Sequence, residues 1–403
     1  MMKNRGLQFF SWLVSFILLS LQVIAVSATE VNPISDAVSD TVPTDLFVED
    51  GSLNLPCKSA VLMEAETGTI LYQQNAEEAL PPASVTKIMT LLLVMEAIDA
   101  GTVRLDDTVT ASANAASMGG SQVYLKEGER MSVEDMLKSV IIASANDAAV
   151  ALAEHIAGST SVFVEKMNMR AAALGMKSTS FENVTGLDDT AERHLTSAMD
   201  IALMSRALIA HETVLQYSSI WMDTIRNGEF GLTNTNRLVR FYQGCTGLKT
   251  GSTSKAGFCV SVTAERDGTS LICVIMGAES RDVRNATAAQ LLDWGFANYG
   301  VYRLEAGNPS PVVVKGGTQG SCRVSYGATS VVLPKDRLSS VEVQYQLPND
   351  LKAPVKKGDE IGSVLLVTNG TTVATLPIVA DEDVERIGLF EILQRMWSAF
   401  ALI

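Results

Sequence analysis

The chain has 403 residues, 47% of them hydrophobic, enough for a large core and more than one domain. Its formal charge of −14 argues against nucleic acid and other polyanionic partners, although one lysine in a cleft can still hold a carboxylate. The only histidines, His155, His194 and His211, form no H-E-x-x-H pattern, so a metallopeptidase is disfavoured and no metal or cofactor is implied. The odd, scattered set Cys57, Cys245, Cys259, Cys273 and Cys322 is no disulfide framework. Cys245, Cys259 and Cys273 fall in strand-like segments and are expected as buried thiols.

At the N-terminus, Lys3 and Arg5 precede an apolar stretch, Leu7 to Ala25, and then Val26-Ser27-Ala28. This is the pattern of a signal peptide over residues 1–28, which puts the body of an exported protein outside the cytoplasm. Residues 29–51, acidic and serine-rich, read as a linker. Ser59 to Ala65 and Thr69 to Tyr72 form a hairpin around Thr67-Gly68.

Ser84 follows Pro81-Pro82-Ala83 and opens an apolar run, Ile88 to Met95, that ends near Gly101. The run is hydrophobic nearly all round, which predicts a buried helix over 84–100. Ser84 then sits in the first turn, where free backbone N–H groups favour negative charge, and Lys87 lies one turn on along the same face. A hydroxyl beside an amine is a nucleophile beside a base. Ser252 and Lys255 repeat the Ser-x-x-Lys spacing, but in a Gly/Ser/Thr turn with no helix to align them, so that copy reads as accidental.

A helical pattern over 133–157 is interrupted at Ser144-Ala145-Asn146. A short link between two helices can point a hydroxyl and an amide at a cleft. The same Ser-x-Asn spacing at Ser52–Asn54 and Ser112–Asn114 lacks that setting, and Ser112-Ala113-Asn114 reads as loop. Further helices are predicted over 162–174 and 197–209. Lys249 ends a short strand, Gly257 to Val262 is the next, and Asp267-Gly268 turns the chain into Leu271 to Met276. A helix over 282–299 follows. An early hairpin, then helices, then late strands predict an α/β sandwich whose sheet is assembled from both ends of the domain.

Beyond Tyr302, Val312–Val314, Val331–Leu333, Val341–Val343 and Val364–Val367 are short strands between turns. They predict a small all-β domain over 301–380, read as a passive spacer. Residues 381–403 end the chain, with a helix over 384–402. Ile387, Phe390, Ile392, Leu393, Met396, Trp397 and Phe400 dominate one face, while Glu391 and Arg395 interrupt it too much to span a bilayer. The segment reads as an amphipathic helix on a membrane surface.

Pro82-Ala83-Ser84-Val85-Thr86-Lys87-Ile88-Met89-Thr90, Ser144-Ala145-Asn146-Asp147-Ala148 and Gly247-Leu248-Lys249-Thr250-Gly251 together resemble one family. Asn183-Val184-Thr185-Gly186-Leu187-Asp188 and Asn236-Arg237 add to the likeness. The family is the serine-type D-alanyl-D-alanine carboxypeptidases, low-molecular-mass penicillin-binding proteins of peptidase family S11. The resemblance covers residues 52–300 and, more loosely, the rest. It implies a penicillin-binding/serine β-lactamase-like α/β sandwich, peptidoglycan stem peptides as substrates, and β-lactam antibiotics as acylating ligands.

The resemblance also implies roles. Ser84 is the nucleophile, Lys87 its base, and Ser144 the proton relay. Lys249 and Thr250 read the terminal carboxylate, Gly251 and Ser252 are further substrate-binding positions, Asn146 bonds the peptide amide, and Arg237 is a weaker candidate for substrate contact. The N–H groups of Ser84 and Ser252 form the oxyanion hole. Asp200 matches a family position too, but reads as a helix-surface carboxylate. Some members carry histidine where Thr185 and Ser252 stand, so side-chain preference does not transfer.

Two alternatives remain at this level. A class A-like β-lactamase needs a glutamate on a loop between Ser144 and Lys249, and Glu192-Arg193-His194-Leu195-Thr196 matches that pattern only in part. A non-catalytic penicillin or peptidoglycan sensor need not keep Ser84, Lys87, Ser144 and Lys249 together.

Overall fold

The computed structural model describes residues 53–188 and 191–400, with side chains described to residue 398. The signal-peptide expectation for 1–28 and the linker expectation for 29–51 lie outside the described residues.

A five-stranded antiparallel sheet organises the first part of the chain, in the order Ile70–Gln74, Ser59–Glu64, Thr269–Ala278, Gly257–Arg266, Cys245–Thr253. The early hairpin joins the late strands through Ser59 opposite Met276 and Glu64 opposite Leu271, so both ends of the domain build one sheet. Ser59–Glu64 is buried at every position because both sheet faces are covered. Val61, Met63, Ile272 and Val274 point into one hydrophobic cluster, and the alternate residues Ala60, Leu62, Leu271 and Cys273 into the other. Helix Arg281–Asn298 covers the second face with Ala288, Leu291 and Leu292.

The run after Ser84 forms helix Lys87–Asp99, buried along most of its length as its apolar composition requires. Its entry differs from a plain first turn. Ala83–Thr86 is a 3₁₀ turn, entered through Ala83 at φ 50° and closed by the Lys87 N–H on the Ser84 carbonyl. Helices Val133–Ile142 and Asn146–Ala157 meet at the expected break. The edge strand Cys245–Thr253 runs beside the Ser84 turn.

Two local expectations are corrected. Ser112-Ala113-Asn114 is not loop. Ser112 caps the one-turn helix Ala113–Ala116, accepting from the Ala115 N–H at 3.0 Å and donating to Glu154 at 2.6 Å, so this Ser-x-Asn copy is a structural cap. Asp200 is not on a helix surface. It is 1% exposed and accepts from the Ser178 N–H at 2.8 Å and the Thr179 hydroxyl at 2.7 Å.

From Tyr299 onward the structure is β. Tyr299–Leu304 pairs with Thr329–Pro334. A four-stranded sheet runs Val324–Ser325, Thr371–Ala380, Glu360–Thr368, Glu342–Gln346, and a three-stranded one runs Ser321–Cys322, Val312–Lys315, Asp350–Lys352. Val312, Val324, Val364 and Ile378 form their core. The last helix spans Leu389–Phe400, starting later than its sequence pattern suggests. Val384 is buried against the β strands and pairs with Val355, and Arg386 bridges to Gly317, which holds the preceding residues extended. No helix among the described residues is long and apolar enough to cross a membrane.

Candidate active site

The Ser84 turn brings a hydroxyl and an amine together: Lys87 Nζ lies 2.9 Å from Ser84 Oγ. Lys87 is fully buried and also donates to the Thr185 carbonyl at 3.0 Å. Burial holds its pKa well below the usual lysine range, and neighbouring Lys249 lowers it further, against the opposing pull of Asp147. A neutral amine has one lone pair. With one N–H on Thr185, that pair is free to take the Ser84 proton.

Ser144 sits in the link between the two helices at φ 63°, a left-handed conformation that a residue with a side chain rarely adopts. Lys249 Nζ donates to its hydroxyl at 2.8 Å and to the Thr250 carbonyl at 3.0 Å. Burial lowers the Lys249 pKa to about 7, with a further push from the Arg284 guanidinium. The Lys249 charge counts against a proton on Lys87, which suits Lys249 to the role of cation and Lys87 to that of base. Asn146 opens its helix with its N–H on the Ser121 carbonyl at 2.7 Å and its Nδ2 on the Gly119 carbonyl at 2.7 Å. Its Oδ1 is buried without a partner among the described residues, an acceptor left for an incoming N–H.

Strand Cys245–Thr253 supplies the opposite wall. Gly251 packs directly on the nucleophile's turn. A Cβ there would stand 2.8 Å from both the Pro82 carbonyl oxygen and the Ser84 nitrogen, so the position has no room for a side chain. Thr250 donates to Thr235 at 2.8 Å, which ties the strand to the segment leading to Arg237. Arg237 is exposed and borders a cavity of about 530 Å³ shared with Trp221, Thr235, Phe241 and Arg281. No ion pair holds it among the described residues. Ser252 is exposed beyond Gly251. Lys255 donates to the Asp188 carbonyl at 2.7 Å instead of lying with Ser252, so the second Ser-x-x-Lys copy brings no pair together.

Several groups that hold this arrangement were not singled out from sequence. The buried carboxylate of Asp147 accepts from the N–H groups of Val123, Leu125 and Ala148, pinning the chain on both sides of Tyr124. Asn183 Oδ1 accepts from the N–H groups of Thr185 and Gly186 and sets the carbonyl that meets Lys87. Asp188 accepts from Thr253 at 2.5 Å. Glu192, the residue a lactamase reading would need, is exposed; the buried group nearby is His194. An aspartate directly after Ser-x-Asn and an asparagine two residues before Thr185 were the available signals, since both types seek backbone N–H groups.

Comparison with known proteins shows the family and the fold. The sequence model of the family described as D-alanyl-D-alanine carboxypeptidase matches residues 48–280, and that of the penicillin-binding protein 5 C-terminal domain matches 314–386. The chain is 41% identical over 353 residues to the D-alanyl-D-alanine carboxypeptidase DacF of Bacillus subtilis, covering 85% of this chain and 90% of that one. Penicillin-binding protein 5 of Haemophilus influenzae superposes with a TM-score of 0.75 at 32% identity, covering 83% of this chain and 99% of its own. Penicillin-binding protein D2 of Listeria monocytogenes, solved with ampicillin bound, superposes with a TM-score of 0.56 at 34% identity, covering 60% of this chain and 99% of its own.

Proposed function

The chain belongs to the D-alanyl-D-alanine carboxypeptidase family, and from that premise we propose how its residues carry out serine-type removal of a terminal D-alanine. Ser84 Oγ attacks the penultimate D-alanine carbonyl while neutral Lys87 takes its proton. The N–H groups of Ser84 and Ser252 hold the oxyanion, a placement that fits the close packing of Gly251 on the Ser84 turn. Ser144 passes a proton to the departing amine. Lys249, Thr250 and Arg237 hold the terminal carboxylate, and Asn146 Oδ1 accepts the peptide N–H. Water then cleaves the acyl-enzyme ester, releasing the shortened peptide and restoring Ser84. The observation that carries this reading is the 2.9 Å approach of a fully buried, pKa-depressed Lys87 to Ser84.

A β-lactam presents a carbonyl and a carboxylate with similar spacing, so it acylates the same serine. The test is direct. The soluble protein is incubated with a peptide ending in D-Ala-D-Ala and free D-alanine is assayed, with and without penicillin. Release that penicillin does not block would refute the reading.

The site acts on peptidoglycan stem peptides at the outer face of the cell membrane. Leu389, Phe390, Leu393, Met396 and Trp397 of the last helix are exposed, an apolar surface suited to the headgroup boundary. Asp381, Glu382, Asp383, Glu385 and Glu391 outnumber Arg386 and Arg395 there, so attachment rests on apolar burial and changes little with salt. Co-sedimentation with liposomes of the protein with and without residues 381–403 tests this. Equal binding by both forms would refute the helix as the anchor.

A further inference from the structure

Outside the reacting groups, one buried imidazole ties the nucleophile's turn to the loop that crosses it. His194 is 3% exposed. The Glu182 backbone N–H donates to His194 Nδ1 at 3.0 Å, so Nδ1 carries no proton. The ring proton then belongs to Nε2, which donates to Thr86 Oγ1 at 2.7 Å. Only the neutral imidazole satisfies both bonds, since an imidazolium would set an N–H against the Glu182 N–H.

Both partners matter to Lys87. Thr86 is its chain neighbour in the Ser84 turn. Glu182 opens the segment that covers the lysine, and that segment touches the turn and the helix that continues it at three points. The Thr185 carbonyl accepts from Lys87 Nζ at 3.0 Å, and the Val184 carbonyl accepts from Thr90 at 2.7 Å. Gly186, at φ 82°, lies so close that a Cβ would stand 1.8 Å from the Ala83 carbonyl oxygen. The segment is therefore pressed onto the turn without slack, and His194 bonds one end of it to Thr86.

The charges facing the ring are Glu182 and Asp188, both of which favour the imidazolium, and the Phe181 ring packs against it edge to face with centroids 5.7 Å apart. Burial outweighs the two carboxylates and lowers the pKa to about 4, so the clamp stays neutral at physiological pH.

We propose that His194 is a positioning residue for the general base: it clamps residues 182–188 onto the Ser84–Lys87 turn, keeping the Thr185 carbonyl on Lys87 and water off the amine. The inference rests on Lys87 being the base. Loosening the clamp rehydrates Lys87, and because burial is the main cause of its lowered pKa, rehydration raises that pKa. The acid limb of the acylation rate, which reports the fraction of neutral Lys87, then moves to higher pH.

The experiment is the pH profile of second-order acylation by a chromogenic cephalosporin for the full-length protein, His194→Ala and His194→Gln. A control, Val364→Ala, removes buried volume in the β region far from the site. We expect acylation at neutral pH to fall by about tenfold to a hundredfold in His194→Ala, with the acid limb displaced upward. His194→Gln, whose amide can both donate and accept, should recover part of the rate. Val364→Ala should keep the wild-type limb even where it melts lower. Should His194→Ala not fold, His194→Gln alone decides, through a displaced limb. An unmoved limb in a folded His194 variant, whatever its melting temperature, overturns the proposal. Failure of wild-type protein to be acylated at Ser84 would instead remove the functional reading beneath it.

Discussion

Gly251→Ala tests the contact between the carboxylate-reading strand and the nucleophile's turn. The added Cβ would lie 2.8 Å from the Pro82 carbonyl oxygen and the Ser84 nitrogen and 2.9 Å from the Val85 nitrogen, where ordinary contact begins near 3.4 Å. All three neighbours are backbone atoms, so no side chain can rotate away. Relief requires the strand and the turn to separate by about 0.5 Å, judged against the van der Waals limit. Overpacking of this kind costs about 1–3 kcal/mol, a few degrees of melting temperature for a chain of this size. The effect on chemistry is larger. A misplacement of about 1 Å can cost about a hundredfold in rate, so a half-ångström shift between Ser84 and the carboxylate site should cost about tenfold or more. Stopped-flow acylation by a fluorescent penicillin, with a melting curve on the same sample, separates the two effects. Acylation within twofold of wild type at unchanged melting temperature would refute the packing argument.

Other substitutions probe the two lysines and the clamp. Lys87→Arg keeps a cation but gives up deprotonation, so acylation should fall by orders of magnitude while the fold persists; near-normal acylation would remove Lys87 as the base. Lys249 has a pKa of about 7, so its cation is present below that pH and lost above it. Acylation by a carboxylate-bearing substrate should therefore decline as pH rises through 7, and a C-terminally amidated peptide should show no such decline. Lys249→Gln should weaken the carboxylate substrate and leave the amidated one little changed; equal losses would contradict the pairing. The neutral His194 clamp contributes stability that is full above its ordinary pKa of 6.5 and is lost as pH falls toward about 4, a window worth up to about 3 kcal/mol. Urea unfolding at both ends of that window should show a flatter pH dependence in His194→Gln than in wild type.

Much of this site was legible because its chemistry is carried by short spacings in a fixed order. Ser84 with Lys87, Ser144 with Asn146, and Lys249 with Gly251 each stand on an element whose start or end is marked by Pro, Gly or a change of periodicity, and the structure brings them together. The rival copies fail in space for separate reasons: Ser112 and Asn114 stand at a one-turn helix but both bond Glu154, and Ser252 lies on a strand while Lys255 bonds the Asp188 carbonyl.

What stayed hidden depends on contacts distant in sequence. The left-handed φ of Ala83 and Ser144 runs against local preference and is imposed by packing. Asp147 directly follows Ser144-Ala145-Asn146, yet two of its partners, Val123 and Leu125, lie more than twenty residues earlier in the chain. Asp200 looked like a surface carboxylate because only the fold brings Ser178 and Thr179 to it. The start of the last helix was misplaced because its apolar period continues through Val384, whose burial is against the β strands.

The central claim is that Ser84 is acylated, and one measurement tests it most directly. The protein is incubated with penicillin, digested, and its adduct located by mass spectrometry, with D-alanine release from a D-Ala-D-Ala peptide assayed in parallel. The account predicts a single adduct on the peptide that carries Ser84, and loss of both labelling and D-alanine release in Ser84→Ala. An adduct on Ser252 or Ser144, or undiminished D-alanine release by Ser84→Ala, would contradict it.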